Sequence, residues 1–200
     1  MSSKSGEVGI AMVAVPKPDT QFPGASCLLC YGFASASNLT LTKHTQTLPI
    51  DDLARLGQDV ADTLGRKGVD ATVLREPLAL KDLPDASGSA PNTASKDFSS
   101  LRAKHKLDKL LVIDLATVGY LRTYSAYVPT SDPKATVSGQ SYLVDLKTNT
   151  YDWFQPITVS KSAAGAWDEP PKFPGLTNAY FQAVETSRDS ILKPLAAGAR

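Results

Sequence analysis

The stretch Tyr142-Leu143-Val144-Asp145-Leu146-Lys147-Thr148-Asn149-Thr150-Tyr151-Asp152-Trp153-Phe154 decides how the rest of the chain is read. Two β-prone runs flank the polar segment Lys147-Thr148-Asn149-Thr150, so residues 142–154 are expected to form a hairpin with a tight turn. Trp153, Phe154, Ile157 and Val159 continue the returning strand. Pro156 has no N–H to give to a ladder, which requires this strand to be an edge or to bulge there.

Working back from the hairpin, Ala135 to Leu146 is the strand that enters it, and Lys109 to Tyr124 (KLLVIDLATVGYLRTY) is a long strand in which Gly119 marks a bend or bulge. Val8 to Val15 (VGIAMVAV) is nearly continuously apolar and suits a central strand covered on both faces. Val69 to Leu74 is a short strand. Leu53, Leu56, Val60 and Leu64 recur at helical spacing, with Asp51 or Asp52 as cap, Ile50 as staple and Gly68 as stop. Phe98, Leu101 and Leu107 give a short helix. Leu176, Tyr180, Ala183, Val184, Ser187 and Ile191 line a closing helix expected to end before Pro194. Asn38 to Leu48 alternates and is rich in Thr, which predicts an extended, half-exposed segment. Pro23 to Asn38 is apolar, uncharged and without clear period, an insert outside this pattern.

The fold class is therefore α/β: a single mixed β-sheet packed by helices, ordered strand-helix-strand-helix-strand, then a β-hairpin and a C-terminal helix. Residues 1–7 are read as a polar tether and 8–194 as one domain. That domain contains the apolar insert 23–38 and a mobile loop over 83–95, and residues 195–200 form a tail.

Composition sets further bounds. The chain has 200 residues, 42% hydrophobic and 20% charged, which is ordinary for a globular domain. Its 21 basic and 20 acidic side chains leave a net charge of +1 and no general field for nucleic acid. Arg102, Lys104, His105, Lys106 and Lys109 cluster, but Asp97 and Asp108 are near, and the group reads as a solvated helix face. No run of about 18 apolar residues is present. Met1 to Ile10 lacks the apolar core of a signal peptide. Two locations fit: the cytosol, or the envelope, after removal of a signal replaced by Met1.

The order of elements resembles the bacterial envelope lipoproteins with the TolB amino-terminal fold, the group of LpoB, CsgG and PelC. In that group the final hairpin carries an apolar run, Asp, a Thr-containing turn and Trp, matched by Leu143-Val144-Asp145, Thr148 and Trp153. The likeness runs from about Val8 to Leu192. It implies a periplasmic protein, often lipid-anchored at the outer membrane, that touches other envelope proteins and sometimes assembles into rings. Two features depart from the group: no Cys stands among Met1 to Ile10 to take a lipid, and the insert at 23–38 belongs to no one member.

Chemistry is sparse. Cys27 and Cys30 form a C-x-x-C, which could be a local disulfide, two buried thiols, a redox pair or part of a metal site. A zinc site would need about four ligands, and only His44 and His105 could add to the pair. The disulfide is the favoured reading in an oxidising compartment. No G-x-S-x-G and no phosphate-binding Gly-rich loop is present. No catalytic residue, cofactor or metal is expected. If the insert projects, Leu28, Leu29, Tyr31 and Phe33 become partner or membrane contacts, and if it packs it covers a sheet edge. Trp167, in a Pro-rich loop, is a second contact candidate. The expectation is a non-enzymatic envelope accessory protein, and the alternative is a thiol–disulfide redox or metal-binding protein using Cys27 and Cys30.

Overall fold

The apolar opening run forms β1 (Val8–Met12), buried from Val8 to Ala11. The computed structural model describes residues 7–88 and 90–197, so residues 1–6 of the 1–7 tether, residue 89 of the 83–95 loop and residues 198–200 of the tail lie outside the described residues. After β1 come β2 (Asp19–Gln21), α1 (Leu28–Ser37), α2 (Leu39–Thr45), α3 (Asp51–Ala54), α4 (Leu56–Gly65) and β3 (Ala71–Val73). The second half holds α5 (Ser99–His105), β4 (Lys109–Leu121), β5 (Tyr124–Ser125), β6 (Val128–Pro129), β7 (Lys134–Asp145), β8 (Thr150–Ser162) and α6 (Pro174–Ala197). One mixed sheet runs in the order β3-β1-β4-β7-β8, with β2 also paired to β4, while β5 and β6 form a small separate hairpin. β1 is parallel to β3 and β4, and the β4–β7 and β7–β8 pairs are antiparallel. This is the expected mixed α/β sheet.

Alternation along the long strands sends apolar side chains to both faces. On one face Ile10, Leu111, Ile113, Val118, Tyr120, Val137 and Ile157 pack with Leu53, Leu56 and Val60 of the α3–α4 segment and Tyr180 and Ile191 of α6. On the other, Ala11, Leu110, Val112, Tyr142 and Val144 pack with Phe98, Leu101 and Leu107 around α5. Each fully buried Leu or Ile of these layers contributes about 1.5–3 kcal/mol by transfer from water.

The hairpin closes as read. Asp145 Oδ1 accepts from the N–H of Lys147 at 2.8 Å and of Thr148 at 3.1 Å, and Asn149 takes a left-handed φ of +55°. β8 is an edge strand, so Pro156, opposite Gln140, costs no ladder bond to an outer neighbour. The turn also ties down the end of the irregular 83–95 stretch. Asn149 Oδ1 accepts from Phe98 N at 3.0 Å, its Nδ2 donates to Lys96 O at 2.9 Å, and Ala94 N donates to Asn149 O at 2.9 Å. Asn149→Ala should therefore cost about 2 kcal/mol in urea unfolding, because it strands the Phe98 N–H and strains a positive φ. An unchanged midpoint would show the turn to be held without this side chain.

Three expectations are corrected. Residues 39–45 are helix rather than extended: Leu41, Thr45 and Leu48 face inward at spacings of four and three, and Thr45 Oγ1 donates to Leu41 O at 2.8 Å within the turn. The Thr-rich alternation is overridden by that burial. The Leu53–Leu64 helix is two pieces that meet at Arg55, and Ile50 rather than an Asp occupies the cap position, with Asp51 and Asp52 in the first turn where the helix dipole favours them. The last helix does not stop before Pro194 but runs through it to Ala197. So close to the end, proline removes one bond and leaves little helix beyond it to break.

Candidate contact surface

The insert forms α1, and its position is set by a close backbone approach. Gly24 has a φ of +91°, and a Cβ there would lie 1.9 Å from Tyr124 O, so only glycine lets this turn sit against β5. Tyr124 N donates to Pro23 O at 2.8 Å, and Ala126 N to Gly24 O at 3.3 Å. Cys27 is the N-cap of α1 and is bonded to Cys30 as a disulfide. Its Sγ also accepts from Cys30 N at 2.9 Å. Only Cys30 and Ala34 of α1 are buried, and with Phe22, Ala25 and Tyr124 they make a small core separate from the two sheet layers.

The rest of α1 faces outward. Leu28 is 88% exposed, Leu29 74%, Tyr31 53% and Phe33 51%. The fold brings a second element to them: Tyr127 and Val128, at the tip of the β5–β6 hairpin, are also exposed. The rings of Phe33 and Tyr127 meet edge to face with centroids 6.0 Å apart, and the Tyr127 hydroxyl lies 3.8 Å from Cys27 Sγ. No charged residue occurs from Thr20 to Thr42, nor from Thr123 to Ser131. The result is an exposed, uncharged group of apolar and aromatic side chains on two elements, joined through Phe33 and Tyr127, with Cys27 beside Tyr127. Sequence reading found Leu28, Leu29, Tyr31 and Phe33 but missed Tyr127 and Val128; the charge-free run Thr123-Tyr-Ser-Ala-Tyr-Val-Pro-Thr130 was the available signal.

Trp167 lies elsewhere and is half-buried. Its ring stacks on Phe173 with centroids 6.2 Å apart, and the Arg122 guanidinium sits 4.8 Å over it. Arg122 also donates to Asn38 Oδ1 at 2.9 Å, while Asn38 Nδ2 donates to Ala34 O at 2.7 Å and to Tyr124 Oη at 2.6 Å. Arg122 and Asn38 therefore link the Trp167 loop to the C-terminal end of α1.

His44 and His105 stand apart from the cysteines. His44 Nε2 pairs with Thr177 Oγ1 at 2.8 Å against α6, and His105 lines a cleft of about 690 Å³ between β3 and α5 with Leu74, Arg75 and Lys104. Among the described residues no group of three His, Cys, Asp or Glu side chains is placed to hold a metal ion. Burial, then the charge of Lys172, holds the His44 imidazole below its ordinary value of 6.5. Folding thus favours neutral His44. Its contribution is constant above the ordinary value, and stability falls as pH drops from there through the lowered one. Urea midpoints measured at pH 7.5 and pH 5 should fall more in the wild type than in His44→Gln; an equal fall would remove His44 from the acid response.

No family model matches the chain, and no curated protein matches it. Solved structures do. A homologue of a neuraminyllactose-binding hemagglutinin from Helicobacter pylori is 17% identical with a TM-score of 0.44, over 97% of this chain and 85% of that one. A dodecamer of a PelC variant from Paraburkholderia phytofirmans is 10% identical with a TM-score of 0.40, over 98% and 92%. Protein XCC0632 from Xanthomonas campestris is 13% identical with a TM-score of 0.44, over 95% and 84%. At such identities and TM-scores, function has to be read from this chain's own surface.

Proposed function

We propose that this chain is a non-enzymatic accessory protein of the bacterial envelope, a periplasmic member of the TolB amino-terminal-like group held at the outer membrane by a lipid anchor. It acts by docking another envelope protein on the outer face of α1 and the β5–β6 tip. The observation that carries the reading is the uncharged surface of Leu28, Leu29, Tyr31, Phe33, Tyr127 and Val128. Its make-up is that of a protein interface core: aromatic and leucine side chains, with no Lys, Glu or Asp in either contributing segment. A helix lying in a bilayer surface ordinarily carries Lys or Arg along its polar face, and α1 has neither.

A photo-cross-linking residue at position 28 or 31, in cells of the source organism, should give a discrete adduct with an envelope protein. That adduct should disappear on adding Leu29→Glu, and the chain should fractionate with the envelope. An adduct with a second copy would replace the partner by self-association. A chain found only in the cytosolic fraction, without an adduct at position 31, would overturn the reading. The first codons of the gene test the anchor separately: the lipid requires a signal ending in small residues and a Cys.

A further inference from the structure

We propose that the Cys27–Cys30 disulfide is reactive and exchanges with the cysteine thiols of the polypeptide that docks on the α1 face. The docking reading above supplies the substrate class; the chemistry stands on the pair itself. Three observations carry it. The two sulfurs are unequally placed: Cys27 is exposed at the cap of α1, whereas Cys30, one turn in, is 4% exposed. An incoming thiolate can therefore reach one sulfur and not the other.

The second observation is the stabilisation available to a Cys27 thiolate. The Cys30 N–H points at Cys27 Sγ from 2.9 Å, the Tyr127 hydroxyl is 3.8 Å away, and the N-terminal end of a helix of ten residues lies behind them. No carboxylate from Thr20 to Thr42 opposes these donors. A thiolate so favoured is a good leaving group, which makes the disulfide oxidising toward ordinary dithiols. Third, the bond spans a sequence separation of three residues, so it removes little chain entropy from the unfolded state. Pro23, Gly24 and Tyr124 already fasten this segment to the hairpin. The pair is thus in excess of what holds the helix, and it sits at the border of the docking face.

The exchange balances as follows. A substrate thiolate attacks Cys27 Sγ, the Cys27–Cys30 bond breaks, and Cys30 leaves and takes up a proton. The mixed disulfide between Cys27 and the substrate is then attacked, at the substrate sulfur, by the substrate's second thiolate, which expels Cys27 as thiolate. Two electrons pass from the substrate dithiol to the cysteine pair, and the substrate gains a disulfide. The exchange is stoichiometric, one substrate disulfide per chain, which is compatible with a non-enzymatic docking protein; oxidised glutathione, a disulfide compound, re-forms the pair in the test.

The test uses the full chain and an unstructured peptide with two cysteines flanked by leucine and phenylalanine, followed by mass spectrometry. Oxidised protein should convert the peptide dithiol to its disulfide mole for mole. Reduced Cys30→Ser should accumulate a mixed disulfide with the oxidised peptide, and Cys27→Ser less than about a tenth as much. Should either variant misfold by circular dichroism, alkylation of the reduced wild type must show Cys27 reacting roughly tenfold faster than Cys30. Leu29→Ser/Phe33→Ser, which adds no charge beside Cys27, should slow exchange with the peptide about tenfold relative to exchange with glutathione. Equal slopes for that variant and wild type would sink the docking role while the redox assignment stands. A disulfide that survives both the peptide dithiol and millimolar reduced glutathione, or equal trapping at the two cysteines, would overturn the proposal.

Discussion

Gly119→Ala is expected to destabilise the protein by about 3 kcal/mol or more, among the largest effects of any single methyl group in this chain. Gly119 adopts a φ of +133°, and a Cβ there would stand 2.1 Å from Asp19 O and 2.7 Å from Asp19 N. Both atoms belong to the backbone of β2, which pairs with β4 through Asp19 opposite Gly119, Thr20 opposite Tyr120 and Gln21 opposite Leu121. Neither atom can swing away as a side chain would. Relief requires β2 to leave the sheet, and with it the buried Thr20–Thr45 hydroxyl pair at 2.8 Å that joins β2 to α2. Gly68→Ala separates strain from clash: Gly68 also has a positive φ, +76°, but nothing stands within 4 Å of the added carbon. That control should cost only about 1–2 kcal/mol, the price of a left-handed alanine. Equal urea midpoints for the two variants would show that the approach of β2 contributes nothing beyond backbone strain.

The same glycine shows where sequence reading reached and where it stopped. Gly119 stands out as a break in a β-prone run, but the irregularity in β4 lies between Leu115 and Thr117, and Gly119 is instead where another strand crosses close. β2 itself is Asp-Thr-Gln, three residues with no apolar pattern, so nothing local announces it. The long strands are legible because alternation on a two-sided core forces continuous apolar runs. The hairpin is legible because Asp145 and Asn149 are residue types that turn the backbone. α1 gives no period because only Cys30 and Ala34 face inward, so the helix lacks the apolar stripe by which helices are recognised.

The contact surface was half legible for a related reason. Leu28, Leu29, Tyr31 and Phe33 stand in a charge-free stretch that a sequence reader can see. Tyr127, a hundred residues from Cys27, joins them only through the fold. Trp167 draws notice in sequence as an aromatic in a loop of prolines, and the structure gives it a specific setting between Phe173 and Arg122. The standing of Cys27 as exposed cap and Cys30 as buried first-turn residue follows from where α1 begins, which spacing alone leaves open between a loop and a helix.

The second large effect is expected at the α1 face and on contact rather than stability. Leu28→Ser/Leu29→Ser/Phe33→Ser removes three side chains that are 88%, 74% and 51% exposed, so the folded chain loses little packing beyond the Phe33–Tyr127 ring contact and its stability should fall by no more than about 1–2 kcal/mol. In a docked complex the same side chains would be the anchors. Loss of such anchors costs about 1–2 kcal/mol or more each and does not add simply, so affinity for the cross-linked partner should fall on the order of 100-fold. Ser100→Ala, exposed on α5, should change neither quantity. A binding isotherm carries the decision, since partner capture alone could report a minor population. Undiminished affinity in the triple variant would move the interface away from α1. A large loss of stability would instead show that this face is packed in the free protein, and would leave the chain without the surface on which its proposed role depends.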